Sequence, residues 1–507
     1  MFAVSDNCRS EKRWVVDQCH ELIVLQEPRP SLRQAAQHEI ISIPPLLSKG
    51  MIMNRTRTLS RRNLLRFTAA GVGGLLLPNT RGSLAVEQSA GQSVGTNWAG
   101  NVKFSAKELR RPETIGELQG LVRESAIVHA VGGRHSFSTI ADTKGTLVSL
   151  ELLNQVSVNR NNSSVEVGAG VRYSDLCPAL ERQGFAVENL ASLPHICVVG
   201  ACSTATHGSG TRNLAGPVTV IELVNGRGER VELTERDDEF SGAVVGLGAV
   251  GIVTGLTLRV VPKFEVRQWV WENMPLAQFT ENFDDVMEAG YSVSGFTTWR
   301  DDQISEVWVK RRASDGDWEL GSKWYGATPA TRDRHPIVAM DPTPCTAQMG
   351  VPGPAWQRLP HFRPDHPPSS KGRERHSEYF VDRRRAVEAI QALYAIGGRI
   401  AKALQISEIR TVLRDELWMS TAYDRDCASL HFTWTDNDDD VAAAIPIVET
   451  ALNPFAPRPH WGKMHTRSPK EIAAQFPRIG DFRELCRRHD PDGKFRNPYL
   501  DRYLFEW

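Results

Sequence analysis

A change of rhythm near residue 264 constrains the fold more than any other feature of the chain. From Asn97 to Pro262, short β-rich runs ("AIVHAVGG", "GTLVSLELL", "SSVEVGAGV", "VTVIELVNGRGERVEL", "GIVTGLTLRVV") alternate with helical patterns such as "YSDLCPALERQG". This rhythm predicts an α+β domain of small sheets crossed by helices. Beyond it, "FEVRQWVWENM", "SVSGFTTWR", "ISEVWVKRR", "SEYFVDR", "LQISEIRTVL" and "SLHFTWT" are strand-like, with helical patterns near 277–288 and 383–404. A second, mostly antiparallel sheet domain is expected there. Pro342 to Gly372, dense in Pro and Gly, must be loop, and no internal repeat is evident.

A chain of 507 residues with 41% apolar composition has room for about two to four globular cores. Lys plus Arg and Asp plus Glu both total 60 and form no like-charge block, so there is no footprint for nucleic acid or an acidic membrane surface. Cys8, Cys19, Cys177, Cys197, Cys202, Cys345, Cys427 and Cys486 form no C-x-x-C pair. Isolated thiols are expected, with no metal site and no disulfide framework.

Basic residues, Arg61-Arg62 in the context Ser60-Arg-Arg-Asn-Leu-Leu, and a weakly apolar run from Phe67 to Leu77 resemble a bacterial twin-arginine export signal. The run is too short to cross ~30 Å of hydrocarbon and ends at Pro78, with a small-residue site near Ser83-Leu84-Ala85. Export with cleavage and no stable membrane anchor is expected, giving a periplasmic or secreted protein that engages the twin-arginine machinery. The fifty residues before Met51 show no sustained period and read as a mis-called extension, with the true start at Met51 or Met53. The alternative is an authentic extension that disables the signal and leaves the protein cytoplasmic. The expected organisation is 1–50 extension, 51–90 signal and linker, 97–264 first domain, and 265–507 second domain.

Several activities drop out on local grounds. Gly246-Leu-Gly248-Ala-Val-Gly251 matches a dinucleotide fingerprint, but Gly251 enters a strand where a Rossmann site needs a helix. A tight turn with close backbone approach is the remaining reading. Asp436, Asp438 and Asp440 mimic a calcium loop, yet Val441 and Ile447 stand where Gly and Glu belong. These acids are expected to favour the start of the following helix. No phosphate-binding P-loop occurs, and Ser209 lacks a nucleophile elbow.

Two small-residue segments remain, Val131 to Ser136 ("VGGRHS") and Ala191 to Gly210 ("ASLPHICVVGACSTATHGSG"). Either alone reads as a hairpin turn; together they favour a cradle whose backbone N–H groups close on a flat or anionic cofactor. In "LQISEIRTV" the strand period puts Leu404, Ile406, Glu408, Arg410 and Val412 on one face, where the two charges form either an internal ion pair or a ligand site. In "SLHFTWT", Leu430, Phe432 and Trp434 face the core and Ser429, His431 and Thr433 face a polar pocket or water. "RPHWGKMH" gathers Arg458, His460, Lys463 and His465 in one loop, either a solvated basic turn or a site-completing segment.

Eight ordered motifs, "TNWAGNVKFSAKELRRP", "AVGGRHSFSTIAD", "GAGVRYSDL", "ENLASLPHICVVGACSTATHGSG", "GLGAVGIVTGLTL", "SEIRTV", "HFTW" and "RPHWGK", resemble the bacterial alditol (xylitol) oxidases of the vanillyl-alcohol-oxidase flavoprotein superfamily. The resemblance runs from about Asn97 to the C-terminus. It implies a two-domain fold in which a PCMH-type FAD-binding α+β domain carries an antiparallel-sheet substrate (cap) domain whose C-terminal segment returns to the flavin. It further implies FAD bound covalently through His135, with Val131, Gly132, Gly133, Arg134 and Ser136 in the first loop. Ser192, Cys197, Gly200, Thr204, Ala205, Thr206, His207, Ile252 and His460 would complete the FAD contacts. Polyol contacts would fall on Ser192, His376, Glu408, Arg410 and Lys463, with His431 nearby.

Arg134 and Ala205 stand where glycine is expected in this family, and His376 replaces a glutamine. The implied reaction is oxidation of a polyol's terminal hydroxyl to the aldose, with oxygen reduced to hydrogen peroxide. Arg410 or Lys463 would stabilise developing negative charge, and His431 or Lys463 would accept the hydroxyl proton. Ala191 lies where a residue can gate oxygen. A sugar-1,4-lactone oxidase or dehydrogenase is the nearest alternative, and an exported carbohydrate-binding protein without redox activity is the alternative from another class. No metal is expected.

Overall fold

The computed structural model describes residues 39–41, 94–316, 318, 321–366 and 373–505. Contacts divide the chain into Met1–His38, outside the described residues, and Glu39–Trp507, to which everything below refers. The twin-arginine segment and its cleavage site also lie outside the described residues.

The first half forms three sheets, the smallest a two-stranded pairing of Phe185–Ala186 with Val261–Pro262. A three-stranded parallel sheet is ordered Glu108–Arg110, Thr146–Ser149, Val128–Val131. A six-stranded antiparallel sheet runs Glu39–Ile41, Val156–Asn159, Ser164–Gly168, Ile252–Arg259, Val218–Val224, Arg230–Thr234. Glu39–Ile41 falls in the stretch expected to lack strand character. Three residues are too few to show a period, and an edge position needs only backbone pairing. The helix Tyr173–Arg182 forms as predicted, burying Tyr173, Leu176, Cys177 and Leu180. All six described cysteines are buried free thiols.

At Glu265 the chain enters a nine-stranded antiparallel sheet. Glu265–Pro275, Gln303–Arg312, Ser292–Thr297, Leu404–Val412, Cys427–Trp434 and Arg375–Asp382 lie side by side in that order. One face is apolar: Ile409, Leu430, Phe432 and Trp434 pack under the helices Ala386–Ile400 and Asp438–Leu452. Each such fully buried side chain contributes about 1.5–3 kcal/mol. The alternate residues Glu408, Arg410, His431 and Thr433 line a cavity on the opposite face. As expected from the motif, Asp438 and Asp440 occupy the first turn of their helix, with Asn437 accepting the Asp440 N–H.

The one-face reading of "LQISEIRTV" needs a correction. The register slips between Leu404, opposite Trp434, and Ile406, opposite Thr433. This irregularity turns Leu404 into the helix-covered core, whereas Ile406 packs with Phe296 and Trp308.

The C-terminal segment returns to the first half. Ile472, Phe476, Phe482, Tyr499 and Leu504 share a core with Leu176, Val198 and Leu256, and Phe495 packs with Leu118 and Val128. Among the described residues, no helix is long and apolar enough to cross a membrane.

Candidate active site

Both small-residue segments open into one cavity whose far wall is the polar face of the nine-stranded sheet. The first loop follows the buried strand Val128–Val131. Its exit is tied to the "RPHWGK" segment: Phe137 N–H donates to Gly462 O at 2.7 Å and Ser138 Oγ to Trp461 O at 2.8 Å. The second loop contributes Ser192, Cys197, Gly200, Thr204, Thr206 and His207 to the lining.

Arg134 has φ 60° and Ala205 φ 53°, both in the left-handed region that favours glycine. Each costs about 1–2 kcal/mol of backbone strain. Arg134 recovers part of this by donating Nη1 to Val94 O at 2.9 Å while its guanidinium lies 5.4 Å from the Phe104 ring. Its side chain thus anchors the segment that enters the domain.

His135 lies 5.4 Å from the Trp98 ring, and burial, reinforced by His195, Arg172 and Lys463, brings its imidazole down to about 4. It is therefore neutral at physiological pH. The backbone N–H groups of Arg134, His135 and Ser136 take no acceptor among the described residues.

Glu378 is the hub of the polar wall. It receives Arg410 Nη2 at 2.7 Å, Ser429 Oγ at 2.6 Å and His207 Nε2 at 3.0 Å. His431 Nδ1 is 3.3 Å from its other oxygen, in contact but off the hydrogen-bond line. Burial alone would raise this carboxyl, but His207, Arg410 and His431 hold it well below the usual carboxylate range. Glu408 is likewise held low against burial, by Arg410 and by His361 at 2.7 Å. Arg410 Nε sits 3.5 Å from Glu408 Oε1 and makes no hydrogen bond among the described residues.

On the strand Arg375–Asp382, His376 Nδ1 lies 2.8 Å from Lys463 Nζ and its Nε2 3.0 Å from Glu374. The ring stacks on Phe137 with centroids 4.1 Å apart and meets His431 edge-on at 4.6 Å. Burial brings His376 down to about 3 and Lys463 down to about 8.

These features have relatives. A family profile described as "FAD binding domain" matches residues 106–234, and one described as "D-arabinono-1,4-lactone oxidase" matches residues 371–503. The chain is 45% identical to an alditol oxidase from a Streptomyces species over 80% of its own length and 97% of that protein. The chain belongs to the alditol oxidase family. More distant kin are an L-gulono-1,4-lactone dehydrogenase of Mycobacterium tuberculosis, 28% identical over 81% of this chain and 99% of that one, and the L-gulonolactone oxidase of Mus musculus, 23% identical over 81% and 98%. The fold resembles a cholesterol oxidase from B. sterolicum, with TM-score 0.64 and 14% identity over 82% of this chain and 97% of that one.

As a member of the alditol oxidase family, the protein is an FAD-dependent oxidoreductase acting on CH–OH donors, and the cavity fits that cofactor. A Cβ on Gly133 would come 3.2 Å from His135 Cδ2, and one on Gly248 would come 2.9 Å from the His129 ring, so side chains there would crowd the cradle. The three unpaired N–H groups supply donors for an anionic group. The close approach at Gly248 is also the tight turn expected of "GLGAVG".

Most residues implied by the family resemblance meet here: Val131, Gly132, Gly133, Arg134, His135, Ser136, Ser192, Cys197, Gly200, Thr204, Thr206, His207, His376, Glu408, Arg410, His431, His460 and Lys463 all line the cavity. Ala205 and Ile252 do not, and are buried in apolar cores beside it. Of the basic loop, Arg458 donates to the Thr421, Tyr423 and Gln475 carbonyls and His465 packs on Tyr503, so only His460 and Lys463 reach the cavity. Sequence reasoning passed over Glu378, Glu374 and His361. The alternation of "RHSEYFVD" puts Glu378 on the face of His376, a signal that was available.

Proposed function

We propose that this protein oxidises the terminal hydroxyl of a polyol such as xylitol or sorbitol to the aldose, with oxygen reduced to hydrogen peroxide. One observation carries the reading: Ser192, Glu408, Arg410, His376, His431 and Lys463 share one cavity with the glycine-rich cradle. Several fixed donors and acceptors suit a flexible chain of hydroxyls, and a site built this way rejects analogues lacking them. FAD, when bound, supplies the hydride acceptor and the route to oxygen.

The cradle would hold FAD through Gly132 to Ser136 and through Thr204, Thr206 and His207. Its neutral imidazole makes His135 the proposed point of covalent attachment, since only an unprotonated ring nitrogen has a lone pair to form that bond. Arg410 and Lys463 would place positive charge beside the reacting carbon, and His431, its Nδ1 near the Glu378 carboxylate, would take the hydroxyl proton. Arg61-Arg62 and the apolar run after them support export to the periplasm or medium by the twin-arginine route.

The deciding experiment measures peroxide release by the yellow purified protein on xylitol, sorbitol and gulonolactone. Fast turnover on the polyols supports the proposal; preference for the lactone would assign the protein to sugar-lactone oxidation. Colourless protein that still binds sugars would overturn both.

A further inference from the structure

Behind Glu408 the cavity wall continues into a buried side-chain chain that the proposed chemistry leaves unused. Glu408 Oε1 lies 2.7 Å from His361 Nε2, and His361 Nδ1 lies 3.0 Å from Lys310 Nζ, which also donates to the Leu359 carbonyl. Lys310 is 1% exposed, on the strand Gln303–Arg312, and the imidazole is boxed by Phe296 and Trp308, with ring centroids 5.5 and 5.3 Å away.

Burying an ammonium costs several kcal/mol, and here its hydrogen-bond partners are both neutral. A methionine would fill the same space without that cost. What the ammonium adds is direction. Burial brings Lys310 down to about 7. Below that pH the ammonium has donors and no acceptor, and the Glu408 carboxylate has acceptors and no donor. His361 must therefore present the Nδ1 lone pair to Lys310 and carry its own proton on Nε2. Burial, with Lys310 adding to it, brings His361 down to about 4 and keeps the ring neutral. The Nε2–H then donates to Glu408 Oε1, which also meets Arg410 Nε at 3.5 Å. Glu408 Oε2 is left without a hydrogen-bond partner among the described residues.

We propose that Lys310 and His361 are positioning residues that lock the Glu408 carboxylate in one orientation, so that Oε2 faces the cavity as the acceptor for a polyol hydroxyl. The inference rests on the reading of Glu408 as a polyol ligand. Lys310 sets the tautomer, His361 transmits it, and Glu408 meets the substrate.

The test uses the flavin-loaded enzyme and steady-state kinetics on xylitol. Lys310→Met and His361→Asn are expected to raise KM about tenfold while kcat changes less than about threefold and flavin content is unaltered. His361→Gln, whose amide can place an N–H where Nε2–H was, should recover KM to within about threefold of the unmodified enzyme. In a Glu408→Gln background, Lys310→Met should add nothing further. The inference is overturned if Lys310→Met, fully loaded with flavin, binds xylitol as the unmodified enzyme does while Glu408→Gln does not. It is also overturned if His361→Gln is no better than His361→Asn. Should the His361 variants fail to fold, the Lys310→Met comparison decides alone, because methionine keeps the side-chain length without the charge. A Glu408→Gln enzyme with unchanged KM would instead remove the polyol-ligand reading, and this inference with it.

Discussion

Arg410 Nη2 and Glu378 Oε1 meet at 2.7 Å, with both side chains buried, and Glu378 at the same time holds Ser429 and His207. Removing one partner of such a pair leaves the other as an uncompensated buried charge. Glu378→Gln is expected to lower unfolding free energy by about 3 kcal/mol at neutral pH. Because Glu378 is held below the ordinary carboxylate range, its contribution is present above that range and is lost as pH falls toward its folded value. The gap between variant and unmodified protein should therefore narrow below about pH 4 in denaturant titrations. A constant gap down to acid unfolding would mean that the ion pair is not the source.

His135→Ala tests the covalent tether. Flavin fluorescence is expected to stay with the acid-precipitated unmodified protein and to move into the supernatant for the variant. Retention by the variant would place the attachment elsewhere.

The strained loop positions separate backbone from side chain. At Arg134, glycine relieves the φ of 60° but loses the contact to Val94, whereas alanine loses that contact and keeps the strain. Arg134→Ala should bind less FAD and melt lower than Arg134→Gly, by about 1 kcal/mol. Ala205→Gly, which gives up no polar contact, should change stability by less than about 1 kcal/mol.

The proposed role of Lys463 predicts an alkaline limb in the pH profile. Burial brings its ammonium down to about 8, so it is charged below that pH and neutral above it. If its charge assists hydride transfer, kcat/KM on xylitol is full below about pH 8 and falls as the pH rises through it. Lys463→Arg, always protonated, should shift that limb upward by at least about one pH unit. A flat profile between about pH 7 and about pH 9.5 would count against the role.

Much of this was legible in the order of residues. "SLHFTWT" separated Leu430, Phe432 and Trp434 from His431 and Thr433 correctly, because a period of two survives in a regular strand. The same rule failed at Leu404, where a register irregularity adds a residue on one side of the ladder and leaves no mark in composition. Arg458, His460, Lys463 and His465 looked equivalent in one loop, yet only two reach the cavity. The direction of a loop side chain has no period to read.

The sequence by itself determined the change from small sheets with helices to antiparallel sheet near residue 264, the glycine-rich cradle and the family to which the chain belongs, because alternation, small residues and ordered motifs are local properties. Tertiary structure decided which charges meet. Glu378 joins Arg410 and His207, and Lys310 reaches Glu408 through His361, across 32, 171 and 98 positions of the chain, counted from the residue numbers themselves. Such pairings come from strand order and loop closure, and their energies depend on burial that no local window contains.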